Sequence, residues 1–177
     1  MSKVRIIGGD LRSRMISFPA VSGLRPTPDR VRETLFNWLG QTMHRRCCLD
    51  LFAGSGALGF EAASRGAERV VMVEKNRTAL RALQDNVKTL GCTSVFVREQ
   101  DGLEFASCDT HKYDVIFLDP PFQSDYLSKL LEILPQRLNE NGVVYVESGK
   151  AINVQPPWHA IKSGKAGQVR YQLLQIN

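Results

Sequence analysis

Apolar and polar positions follow two different rhythms along the chain, and the change comes near residue 48. Before it, KVRIIG (3–8) and RMISF (14–18) are short strand-like runs that meet at the turn formers Gly9 and Asp10, which predicts a hairpin. GLRPTPDRVRETLFNWLG then places Val31, Leu35, Trp38 and Leu39 on one helical face. Thr27 is the expected N-cap of that helix, Pro28 its first position, and Gly40 its stop. After residue 48 the chain repeats strand then helix. Strands are expected at 48–52, 69–74, 94–98, 114–118 and 142–147, with helices at about 57–65, 76–90 and 124–138. In the second of these helices Asn76 caps, Leu80, Leu83, Val87 and Leu90 line one side, and Gly91 terminates. Such alternation implies parallel strands with right-handed crossovers, an open doubly wound α/β sheet. The tail breaks the rhythm. Residues 158–163 and 168–176 flank GKAG with no helix between them, which predicts a closing hairpin and an antiparallel last strand.

Composition narrows this picture. A chain of 177 residues suits one compact unit, read here as an N-terminal hairpin and helix over 1–40 and a main body over 41–177. No apolar run reaches the roughly 20 residues of a membrane helix. MSKVRIIGGDLRSR lacks the pattern of a secretory leader, so a cytoplasmic location without a membrane partner is expected. Cys47, Cys48, Cys92 and Cys108 form no C-x-x-C pair and have no histidine at ligand spacing, and they read as buried free thiols rather than a metal site. Charge is uneven. Residues 1–48 carry nine Lys/Arg against three Asp/Glu, a net +6, whereas the remainder carries 14 against 15, a net −1. The basic segment therefore looks like a footprint for a polyanion such as nucleic acid.

The candidate chemistry sits at strand ends. In CLDLFAGSGALGF an apolar strand runs to Asp50, and Gly54, Gly56 and Gly59 lead into a helix. G-x-G-x-x-G alone is shared with dinucleotide enzymes. An acid at this strand end would repel a pyrophosphate but welcome an ammonium group, and S-adenosylmethionine carries an ammonium and no phosphate. Glu74 closes VVMVE, where a carboxylate can accept ribose hydroxyls. Asp101 and Gly102 follow the third strand, where an acid can accept from an adenine amine. The cofactor set is thus Asp50, Phe52, Gly54, Ser55, Gly56, Gly59, Glu74, Lys75, Asp101 and Gly102.

The fourth strand runs YDVIFL into Asp119, Pro120, Pro121 and Phe122. A carboxylate at a buried strand end is costly unless it is paired or used. An exocyclic base amine is a poor nucleophile because its lone pair is delocalised into the ring. If Asp119 and the Pro120 carbonyl accept its two N–H bonds, the nitrogen is oriented for attack. Phe122 can stack on the base. All four residues form the expected catalytic set.

These blocks resemble a known family. FAGSGALG with DPPF is similar to Rossmann-like S-adenosylmethionine-dependent amino methyltransferases. RIIGGDLRSR, GLRPTPDRVRETLFNWL and KAGQVRYQLLQ look like the RsmD family, which covers nearly the whole chain in the same order. The resemblance implies a mostly parallel seven-stranded sheet with an antiparallel last strand. It also implies methylation of N2 of a guanine in 16S rRNA, with S-adenosylhomocysteine as the product. So small a recognition surface suits an RNA held in the small ribosomal subunit or an assembly intermediate; no metal is expected, and the oligomeric state stays open, with a monomer favoured. Arg5, Arg12, Arg14, Arg25, Arg30 and Arg32 are the expected RNA contacts, as phosphate clamps. Three other readings stay open on residues alone. The same DPPF would serve an enzyme acting on DNA adenine or tRNA, a ribosome-assembly factor without catalysis would keep the basic segment, and an NAD enzyme would keep the glycines.

Overall fold

The computed structural model describes residues 1–21, 23–121 and 125–177. Seven strands form one sheet in the order β5-β4-β3-β6-β7-β9-β8, and β1 (Ser2–Arg5) pairs antiparallel with β2 (Met15–Phe18) as a separate hairpin. The central strands β3 (Cys47–Asp50), β4 (Arg69–Glu74), β5 (Val95–Glu99), β6 (Tyr113–Leu118) and β7 (Leu138–Ser148) are mutually parallel. β8 (Trp158–Ala166) and β9 (Val169–Ile176) close the edge, and β9 runs antiparallel to both of its neighbours. The expected α/β architecture and its reversed last strand are both present.

The central parallel strands β3, β4 and β6 carry buried apolar runs because helices cover both faces, whereas the edge strand β5 is largely exposed. One cluster under α1 (Asp29–Trp38), α2 (Ala57–Ser64) and α3 (Arg77–Leu90) joins Leu35, Phe36, Phe60, Leu83 and Phe117. The other, under α4 (Gly102–Cys108) and α5 (Tyr126–Ile133), joins Leu49, Ile116, Leu118, Leu130 and Leu134. Burial of each such side chain is worth roughly 1.5–3 kcal/mol. α3 follows its sequence signals closely: Asn76 Oδ1 accepts the Ala79 N–H at 3.0 Å, and Gly91 ends the helix at φ 65°.

Residues 1–40 pack into the first cluster through Val4, Ile6, Ile16, Phe18 and Val31. The hairpin turn also docks on the end of α2. A Cβ on Gly9, which has φ +80°, would lie 1.9 Å from the Ser64 carbonyl oxygen, so only glycine permits this approach. Here Ser64 accepts the Asp10 N–H at its carbonyl (2.8 Å) and the Leu11 N–H at its hydroxyl (2.9 Å).

Some expectations change. Thr27 is not the N-cap of α1: Pro28 occupies that position without a side-chain bond, and buried Thr27 instead presents its carbonyl to Arg32 at 3.0 Å. α4 was not legible, because its seven residues are too few to show a period. The helix expected over 124–138 is α5 followed by a 3-10 turn over Leu134–Arg137, where Pro135 has no N–H to continue the α pattern. All four cysteines are free, but of them only Cys48 is buried: Cys47 and Cys92 are half-buried, and Cys108 is exposed at the end of α4. Among the described residues no helix is long and apolar enough to cross a membrane.

Candidate active site

A cleft of about 760 Å³ opens at the carboxyl edge of the parallel strands. This is the edge at which open α/β sheets bind ligands, and the volume suits a nucleoside-sized molecule. Strand order arranges its acids in a row. Asp101 follows β5, Glu74 ends β4, Asp50 ends β3, Asp119 follows β6, and Glu147 lies near the end of β7. These five residues are scattered over nearly a hundred positions of the chain, and the parallel pairing brings them to one cleft.

The glycine loop after β3 forms one wall. Gly54, at φ +54°, donates its N–H to Glu74 Oε2 at 2.8 Å. The other oxygen of Glu74 accepts the Asn76 N–H at 3.0 Å. A Cβ on Gly54 would come within 2.9 Å of Leu24 Cδ1, so the segment before α1 lies directly against this loop. Leu24, Arg25 and Thr27 all face the cleft. Phe52, Ser55, Lys75 and Gly102 line it too. Gly102 has no room for a side chain, since its Cβ would sit 2.5 Å from the Leu51 carbonyl oxygen. Gly56 and Gly59 lie behind the wall rather than in it. A Cβ there would strike Phe60 and Leu83 at 2.7 Å, or Met72 Cε at 2.4 Å, so their smallness serves helix packing.

Each acid has a distinct environment. Asp50 is buried, which pushes its carboxyl up to about 7; bonds from the Gly59 and Phe52 amides pull the other way, and the Glu74 charge adds to the rise. Asp101 has a second occupation that the sequence reading missed. It caps α4 through Oδ2, which accepts from the amides of Leu103 (3.1 Å) and Glu104 (3.2 Å), while Oδ1 accepts the Tyr126 hydroxyl at 3.0 Å. Asp119 is raised to about 8, first by burial, then by the charge and hydrogen bond of Glu147, then by Asp50.

Glu147 was missed, although its signal resembles that of Asp119: an acid at the end of the apolar run VVYV. Register explains its position. Phe117 pairs with Tyr145 and Leu118 with Val146, so Asp119 and Glu147 stand one step further along neighbouring strands, on the face of Phe117 and Tyr145. The Tyr145 hydroxyl donates to Glu147 Oε1 at 2.7 Å.

Pro120 and Pro121 line the cleft beside Asp119, whereas Phe122 lies outside the described residues. Of the expected RNA contacts, Arg5, Arg12, Arg14, Arg25 and Arg30 are exposed, and Arg25 stands at the cleft. Arg32 is a correction. Only 1% exposed, it donates Nε to the Thr27 carbonyl and Nη1 to the Arg5 carbonyl (both 3.0 Å), and pairs with Glu61 (3.3 Å) and Asp29. Glu61, fully buried, also accepts the Ile7 and Gly8 amides and Arg65 Nε, each at 2.9 Å. The helical period puts Arg32 on the inward face of α1, where it ties the hairpin to α2 and cannot reach a phosphate.

The donor set fits S-adenosylmethionine. The carboxylates of the cleft can accept from an ammonium, ribose hydroxyls and an amine, and its glycine loop gives the Gly54 N–H to the Glu74 carboxylate, whose charge would repel a pyrophosphate.

Comparison with known proteins agrees. The family model described as conserved hypothetical protein 95 matches residues 4–175. The chain is 41% identical to ribosomal RNA small subunit methyltransferase D of Haemophilus influenzae, over 98% of this chain and 94% of the relative. The solved structure of the Escherichia coli protein yhhF superposes with a TM-score of 0.89 at 40% identity, covering 99% of this chain and 98% of that one. A Thermus thermophilus 16S rRNA N2 G1207 methyltransferase, solved with AdoMet and guanosine, shares the fold (TM-score 0.77, 22% identity), with 99% of this chain matching 50% of that one.

Proposed function

The chain belongs to the RsmD family, the group described as conserved hypothetical protein 95, and on that premise we propose that it methylates the exocyclic N2 amine of a guanine in small-subunit ribosomal RNA. S-adenosylmethionine supplies an electrophilic methyl group on a sulfonium. The observation that carries this reading is the row of acids in one cleft, three at the cofactor end and Asp119 with Pro120 beside them.

The chain's own groups then have defined tasks. Asp50 faces the ammonium, Glu74 the ribose hydroxyls, and Asp101 the adenine amine through whatever capacity its cap leaves. Phe52, Ser55, Lys75 and Gly102 complete the cofactor wall. Asp119 and the Pro120 carbonyl accept the two N–H bonds of the target amine, which orients its lone pair. Once the nitrogen has gained a fourth bond it must shed a proton. The carboxylate of Asp119, with a proton affinity raised to about 8, is placed to take it. Phe122 stacks on the base.

Arg5, Arg12, Arg14, Arg25 and Arg30 make the phosphate contacts, and residues 1–40 act as the RNA-contacting extension of the 41–177 body. The substrate is the small ribosomal subunit or an assembly intermediate, met by a monomer in the cytoplasm. Labelled S-adenosylmethionine, offered with unmodified small subunits, their naked RNA, tRNA and duplex DNA, tests the reading. Label in ribosomal RNA, mapped to a guanine by mass spectrometry, is expected; label in DNA or tRNA alone would overturn it.

A further inference from the structure

We propose that Glu147 selects the base, by accepting the ring N–H that adjoins the target amine and so admitting guanine while rejecting adenine and cytosine. The inference rests on the amine-methylating reading above and deepens it.

Position is the first argument. Across the strand edge the order of acids is Asp101, Glu74, Asp50, Asp119, Glu147. With the cofactor over the first three and the amine on Asp119, Glu147 lies one strand further from the cofactor, under the ring that carries the amine. The pairing of Phe117 with Tyr145 and of Leu118 with Val146 sets Asp119 and Glu147 side by side on adjacent strands, both lining the same cleft.

The second argument is polarity. Glu147 is 7% exposed and lines the cleft, and Tyr145 donates into one of its oxygens at 2.7 Å. That donor fixes the orientation of the Glu147 carboxyl and leaves acceptor capacity on its other oxygen. Tyr145 is itself fully buried and fixed among aromatic rings, with Phe117 and Tyr171 centroids each 6.4 Å away. Guanine presents N1–H next to its N2 amine, three donors in a row. Adenine and cytosine present a ring nitrogen lone pair next to theirs, which would face the carboxylate oxygen acceptor to acceptor, with no proton between them. Sites built around a buried hydrogen-bonding group reject the analogue that leaves it unpaired.

2-Aminopurine probes this contact, because it keeps the exocyclic N2 amine and replaces N1–H by a lone pair. It also lacks O6, so the comparison with Glu147→Gln assigns the difference to the N1 contact. Small subunits carrying guanine or 2-aminopurine at the target position would be compared with the native protein and Glu147→Gln, whose amide can donate as well as accept. The native protein is expected to prefer guanine by roughly 10- to 100-fold in kcat/KM, and Glu147→Gln to lose at least about tenfold of that preference. Circular dichroism and S-adenosylmethionine titration calorimetry check that the variant folds and loads. Equal rates on both bases with the native protein, or an unchanged preference in a folded Glu147→Gln, would overturn the inference and leave the methyltransferase reading standing. Absence of label in guanine with the native protein would instead sink that reading, and this one with it.

Discussion

Glu74 Oε2 accepts the Gly54 N–H at 2.8 Å, a bond between residues 20 positions apart that ties the glycine loop after β3 to the end of β4. The bond sets the shape of the loop before any ligand arrives. Its second oxygen, held by Asn76 at 3.0 Å, keeps the carboxylate facing the cleft.

Glu74→Gln retains a carbonyl oxygen for Gly54 but loses the charge offered to a ribose, whereas Glu74→Ala loses both. Hydrogen bonds to charged groups are worth about 1.5–3 kcal/mol, so Glu74→Gln should weaken S-adenosylmethionine binding roughly tenfold or more. Glu74→Ala should weaken it further and also lower the melting temperature. Calorimetry that found both variants binding normally would remove Glu74 from the site.

The proposed role of Asp119 predicts a pH dependence for the reaction. Its accepting form is the carboxylate, and burial with the Glu147 and Asp50 charges holds its pKa at about 8, with Tyr145 the remaining titratable neighbour bonded to the pair. Methyl transfer should therefore rise with pH to a plateau near pH 9, falling about tenfold per unit well below the pKa. Stability should move the other way. The native state keeps a proton that the unfolded chain releases near its ordinary value of about 4, so the folded state loses stability as pH rises from roughly 4 to 8. Asp119→Asn should flatten this part of the stability profile and abolish most activity. Urea titrations at several pH values, read beside single-turnover rates, measure both; a pH-independent rate would contradict the assigned role.

Arg32 and Glu61 are internal fasteners. Removing one partner strands the other in the interior, at a cost of about 3–5 kcal/mol. Arg32→Ala and Glu61→Ala should each lower the melting temperature by roughly 6–20 °C. Arg12→Ala and Arg30→Ala, at exposed positions, should leave it unchanged while weakening RNA binding and its salt dependence. Thermal melts and filter binding of the four proteins distinguish the groups. An Arg32→Ala protein of native stability with weak RNA binding would reverse the assignment.

Asp101 caps α4 and accepts the Tyr126 hydroxyl, and in the proposed site the same carboxylate also meets the cofactor. Asp101→Ala removes the cap of α4 and the acceptor for Tyr126, and should destabilise by about 1–2 kcal/mol while weakening cofactor binding. Asp101→Asn keeps an amide oxygen for the cap and should melt close to the native temperature. A large stability loss in the Asn variant would mean that the cap depends on charge.

The order of strands and helices, the reversed tail and the capped α3 were all legible in the chain, because helix and strand periods differ and Asn76 and Gly91 act locally. The acids Asp50, Glu74 and Asp119 were legible too, since a charge ending an apolar run is costly without a use. Other assignments depended on distance through space. Arg32 counts as one more basic residue in a line of text, and only the inward face of α1 against Glu61 makes it a buried clamp. Thr27 has the chemistry of a cap, yet the path of the chain turns its carbonyl to Arg32. Glu147 carried the same local signal as Asp119, but its meaning came from strand order. Local periodicity determines which elements form; the register of β6 against β7 decides which two carboxyls, 28 residues apart, stand side by side in the cleft.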